Sequence, residues 1–274
     1  MPRRTENRYR FRGSIAPTKD VKRPVRAEVD TTDSTIGKLH IDDVIDSWGG
    51  YWGISAKEFN EALDGLGDVN ELHVHINSPG GEVWEGIAIL NSLRRHPATV
   101  TAVIDGLAAS AASFIAVGAD KTIMGRNTEM MIHDAWGIAI GPAADMRAMG
   151  ERLDKLSDNI ASMYADKAGG DTGKWRGFML EETWYDADEA VAAGLADEVE
   201  GAAAGDVPDD EIIANAFDLS VFKHPGRAAA PKPANVRRPA ALQLPAPEPA
   251  AACDRQDRIT ARRQERHRRA ASRG

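Results

Sequence analysis

Cysteine is all but missing from this chain: Cys253 is the single one in 274 residues. That excludes internal disulfides and cysteine-based metal clusters, and it suits a reducing interior such as the cytoplasm. No apolar run approaches the roughly 18 residues that a membrane span requires. The opening stretch, MPRRTENRYRFRG, is basic and lacks an apolar centre, which predicts no secretory signal. No GxxxxGK[ST] phosphate loop occurs, so the chain carries no ATPase of that kind. No internal repeat is visible.

Charge is abundant and segregated. Residues 1–26 hold nine Arg/Lys against two acids, and residues 224–274 hold twelve against four. The intervening residues 27–223 hold thirteen basic and thirty-six acidic residues, so the formal net charge of −8 conceals an acidic body with two basic arms. The composition predicts disordered arms at 1–26 and 224–274, the second beginning as an Ala/Pro-rich linker, around one folded domain at 27–223. Such arms suit an acidic partner, nucleic acid or a neighbouring subunit's acidic body.

Within the body, periodicity alternates between two and 3.6 residues. Glu71-Leu72-His73-Val74-His75-Ile76-Asn77 alternates as a strand. A helix follows, with Val83, Ile87, Leu90 and Leu93 on one stripe and Pro97 as its stop. The run 99–104 reads as the next strand, broken by Gly106. This strand–helix–strand order marks a right-handed crossover on a parallel sheet. Ser55 with Glu58, and Asp186 with Glu189, have capping-box spacing. Pro142 opens a long helix whose apolar positions Met149, Leu153, Leu156, Ile160 and Met163 form a stripe, and Gly169-Gly170 ends it.

Three features carry chemistry. Ser110 lies in the Ala-rich turn from the 99–104 strand into a helix, where unpaired N–H groups favour developing negative charge. Ser78-Pro79-Gly80-Gly81 ends a strand at the edge where parallel sheets bind ligands; there the N–H groups of Gly80 and Ala111 can form an oxyanion hole. His133, after an apolar run, has the chemistry of a general base for a serine hydroxyl. A carboxylate is needed to orient it, and Glu181, Glu182, Asp186 and Asp188 are all available. His73 and His75 share a strand face, but no third metal ligand is evident, so no metal site is expected.

Ile76-Asn77-Ser78-Pro79-Gly80-Gly81, Ala108-Ala109-Ser110 with Phe114, and Met131-Ile132-His133 resemble, in order and spacing, the signature blocks of the ClpP serine peptidase family. Residues 189–197 resemble its C-terminal block, so the similarity covers about residues 30–200. The resemblance implies an α/β fold of ClpP/crotonase type, with repeated β-β-α units and a protruding long helix. It further implies a serine endopeptidase that needs no cofactor: Ser110 as nucleophile, His133 as base, Glu182 as third member, and Gly80 and Ala111 as oxyanion donors. Glu182 stands where the family has aspartate.

Thr183-Trp184-Tyr185-Asp186-Ala187-Asp188-Glu189-Ala190-Val191, together with the basic arms, is most similar to the ClpP-related head maturation proteases of tailed phages. That implies a homo-oligomeric ring in the host cytoplasm or a procapsid, cutting capsid and scaffold proteins, without a membrane. The alternatives are a proteolytic subunit serving a separate AAA+ unfoldase, and a non-catalytic capsid scaffold. A crotonase-like acyl-CoA enzyme would use Gly80-Gly81 but leave Ser110 and His133 idle.

Overall fold

Alternation along Glu71–Ser78 (β3) settles the layering: Leu72, Val74 and Ile76 are fully buried, while His73 and His75 face the other way. Its neighbours are Ala27–Val29 (β1), Ile36–Ile41 (β2) and Thr99–Ala109 (β4). Beyond them lie Lys121–Met124 (β5), Glu129–Ile132 (β6), Thr183–Asp186 (β7) and Glu198–Val199 (β8). The computed structural model describes residues 25–200 and 217–234, so most of the arms expected at 1–26 and 224–274 lies outside the described residues, while 224–234, expected as disordered linker, form part of the described structure and include a 3-10 turn.

The sheet runs β1-β2-β3-β4-β5-β8, with β6 on β4 and β7 on β6. β1 is antiparallel to β2, and β7 to β6; the other pairs are parallel. Helices Ala56–Gly65 (α1), Val83–Arg95 (α2) and Ala111–Val117 (α3) link the parallel strands. Both capping boxes form, at Ser55 and Asp186. Phe59 and Leu63 of α1, Ile89 and Leu90 of α2, and Phe114 and Ile115 of α3 join the core over the sheet.

β4 is longer than the sequence suggests, because Gly106 does not break it. A Cβ there would lie 2.7 Å from Asn77 Oδ1, and that same oxygen accepts from the Leu107 N–H (3.1 Å). Glycine thus lets an Asn side chain lie against the strand while the register shifts beside it. The extension makes a fork: Thr101–Ile104 pair with β5, and Leu107–Ala109 pair with β6. Strand β7 has no counterpart in the sequence reading, which saw only a cluster of acids there.

Ala143–Ala168 (α4) buries Ile160 and Met163 but leaves its first half exposed, so the amphipathic stripe runs beyond the body as a protruding helix. Thr172–Leu180 (α5) and Ala187–Ala193 (α6) complete the elements. No helix of the described residues is long and apolar enough to cross a membrane.

Candidate active site

The fork in β4 places Ser110 and His133 together. Ser110 is the residue after β4 and His133 the residue after β6, and the Ser110 N–H donates to the Met131 carbonyl at 2.9 Å. Ser110 sits at the cap of α3 with φ 53° and ψ −120°, and its hydroxyl does not cap the helix. It instead lies 2.7 Å from His133 Nε2. A β-carbon at that φ costs on the order of 1–3 kcal/mol, a strain typical of functional turns. Ser113, the neighbouring serine, is fully buried and spends its hydroxyl on the Ser110 carbonyl (2.6 Å) and Tyr164 Oη (2.7 Å).

Antiparallel pairing of Ile132 with Thr183 sets Glu182 opposite His133, one step beyond the ladder. Glu182 is 9% exposed and has φ 56°, so it and Ser110 are two of the three described non-glycine residues with positive φ. The other acids are differently placed. Glu181 is exposed after α5, Asp186 caps α6, and Asp188 is exposed on α6. Asp134, adjacent to His133, is held by Arg176 Nε and Nη2 at 2.8 and 2.9 Å.

Burial pulls the His133 pKa below its usual 6.5; the charges of Glu182 and Asp134 and a backbone hydrogen bond with Asp134 oppose this. Nε2 is the ring nitrogen facing Ser110 Oγ, and it can accept from that hydroxyl when the ring proton is on Nδ1. No hydrogen bond joins Glu182 to His133 among the described residues. Its carboxylate accepts instead from Trp184 Nε1 (3.1 Å) and from the backbone N–H groups of Lys223 (2.6 Å) and His224 (2.7 Å).

The Gly80 N–H, expected to serve, donates to Ser78 Oγ at 3.1 Å, while the Ser78 hydroxyl itself donates to the Asp43 carbonyl (2.6 Å). Gly80 also lies close to the nucleophile: with φ 86°, a Cβ there would lie 2.7 Å from both Ala111 N and Ser110 Cβ. The next N–H, that of Gly81, has no hydrogen-bond partner among the described residues. Ala111 opens α3, so its N–H is one that a helix leaves without an internal acceptor.

A second cluster answers the question about His73 and His75. The third group comes from neighbouring strands: His40 of β2 stacks on His75 (4.9 Å, 17°), and His75 Nδ1 lies 2.9 Å from Asp105 Oδ2 of β4. The Arg26 guanidinium lies 2.6 Å from His40 Nδ1. His73 is not part of this group. Arg176 and the segment around Phe222 were not singled out from the sequence; long-range contact reveals them.

A Clp protease family model matches residues 61–202. An ATP-dependent Clp protease proteolytic subunit of Leuconostoc citreum is 34% identical over 143 residues, which is 51% of this chain and 70% of that protein. The proteolytic subunit 2 of Bacillus licheniformis is 33% identical over 131 residues, 47% of this chain and 69% of its own length. A Chlorella vulgaris proteolytic subunit is 31% identical over 130 residues, covering 47% and 65%.

Proposed function

The chain belongs to the Clp protease family of serine peptidases, and from that premise we propose that it cleaves protein chains through an acyl-enzyme on Ser110. The observation that carries this reading is the 2.7 Å contact between Ser110 Oγ and His133 Nε2 at the strained end of β4. Ser110 Oγ attacks the scissile carbonyl while His133 takes its proton. The tetrahedral oxyanion is held by the N–H groups of Ala111 and Gly80, the latter turning from Ser78 Oγ to the substrate oxygen. Collapse passes the proton from His133 to the leaving amine; water then releases the acyl group by the same base. Glu182, when it reaches the imidazole, fixes tautomer and orientation and stabilises the imidazolium.

The setting we favour is phage head maturation. The peptidase body lies within residues 27–223, and the basic arms bring it to acidic capsid or scaffold proteins, or to nucleic acid, in a procapsid within host cytoplasm. The charge segregation and the Thr183–Val191 pattern support this reading. Exposed Trp136, Ile138, Ile140 and Met146, at and before the protruding end of α4, support assembly into a homo-oligomeric ring. The relatives' names favour a second setting, a proteolytic subunit fed by a separate AAA+ unfoldase.

Co-expression with capsid and scaffold proteins, followed by intact mass, separates these. The maturation reading predicts shortened capsid or scaffold protein with the native chain and full-length protein with Ser110→Ala. Full-length protein in both cases contradicts it. Casein degradation only on adding an AAA+ unfoldase with ATP favours the second setting, and assembly without any cleavage favours a scaffold.

A further inference from the structure

The described segment 217–234 crosses the face of the sheet beside the candidate site. Leu107 and Ala109 of β4, Met131 of β6 and Trp184 of β7 form a buried apolar patch separate from the main core. Phe222 fills it and is itself only 7% exposed. Its ring meets the His133 ring edge-on at 5.5 Å and the Trp184 ring at 6.0 Å. The next two residues reach Glu182: Lys223 N donates to Oε2 and His224 N to Oε1. Successive backbone N–H groups of this kind form a cradle for an anion. Three residues beyond His224, Arg227 clamps the segment to the body, pairing through Nε and Nη2 with Glu189, while its N–H donates to Glu129 (3.1 Å).

We propose that residues 217–230 are a removable strap that docks on this patch, withholds Glu182 from His133, and holds the site closed until it is displaced. The inference rests on the peptidase reading above. The pairing of β6 with β7 brings Glu182 opposite His133, yet each Glu182 oxygen is engaged by the strap and no hydrogen bond to the imidazole forms. The strap contributes two 3-10 turns, Leu219–Val221 and Arg227–Ala229, and adds no strand to the sheet. Its hold is Phe222 with Phe217, Leu219, Val221 and Ala230 against the patch, three backbone N–H groups and the Arg227–Glu189 pair, contacts that can be released without taking a strand from the sheet. It also carries a cost when bound, because His224 Nε2 is buried without a partner. Displacement frees the Glu182 carboxylate to accept from His133 Nδ1–H and uncovers the imidazole. The natural trigger is any event that pulls on the chain beyond residue 230, such as engagement of the basic tail.

The test is the rate of fluorophosphonate labelling of Ser110, followed by intact mass on the full chain. Phe222→Asp removes the plug and Arg227→Glu breaks the clamp at the other end; Phe222→Leu keeps an apolar plug and should label like the native chain. Both releasing variants should label at least tenfold faster, and a synthetic peptide of residues 217–230 should slow Phe222→Asp again. In the released form a downfield His133 Nδ1–H proton resonance should emerge, the signature of the new bond to Glu182. Equal or slower labelling of both variants, with the native chain still labelled, overturns the strap and leaves the peptidase reading intact. No adduct on any form overturns both.

Discussion

His133 feels two opposed influences, and their balance fixes a pH dependence. Burial disfavours the imidazolium and wins, so the pKa lies below 6.5 despite Glu182 and Asp134 nearby. The neutral base therefore persists into mildly acidic solution, and the acid limb of kcat/KM should fall below pH 6.5. Stability follows the same sign: the unfolded chain binds the proton more readily, so this contribution is present above 6.5 and is lost as pH falls. An NMR titration of the His133 ring checks both; a midpoint at or above 6.5 contradicts them. At this scale Ser110, His133 and the choice against Ser113 were legible, because a nucleophile and base leave local signatures in a turn and after a strand. That Gly80 faces Ala111 and Ser110 while Gly81 faces the Ile45 backbone was not legible, because the two glycines are alike in sequence.

The elements set the distances between these residues. β3 and β4 end side by side, and Gly80 fits between the Ala109 carbonyl and Ser110 Cβ, which lie 2.5 and 2.7 Å from where its own Cβ would be. Gly80→Ala should therefore both strain the backbone at φ 86° and push the Ser110 turn away. A loss of about 1–3 kcal/mol is expected, lowering Tm by about 2–4 °C per kcal/mol for a domain of this size. Ser110 labelling should fall more steeply than stability. Unchanged melting and labelling would contradict the close approach. The helices, their caps and most of the parallel strands were readable from period and capping residues. β7 was not, since four residues bounded by acids carry too little alternation. Its pairing with β6 is nonetheless what selects Glu182 from its neighbours. The docking of residues 217–234 was invisible for another reason: Phe222 and Glu182 are forty residues apart, and nothing local announces their meeting.

On the scale of the whole molecule, the acidic body and basic arms were plain from composition, whereas the protrusion of the long helix was implied only by the family resemblance. The loop before α4 ends in Ile138 (62% exposed) and Ile140 (78% exposed), a surface a lone subunit gains nothing by showing. Replacing both by Asp should shift the assembled state to a smaller mass in analytical ultracentrifugation while leaving the secondary structure by circular dichroism unchanged. An unaltered mass would place the subunit contacts elsewhere.

The account turns on one atom, the Ser110 hydroxyl made nucleophilic by His133. Exhaustive fluorophosphonate treatment, with the modified residue located by peptide mass spectrometry, tests it most directly. The account predicts one adduct, on Ser110, reached slowly in the native chain and quickly after strap release. Ser110→Ala should carry none and should lose peptide hydrolysis on the order of 10⁴-fold or more. An adduct on another serine, or none on native and strap-released chains alike, would contradict it.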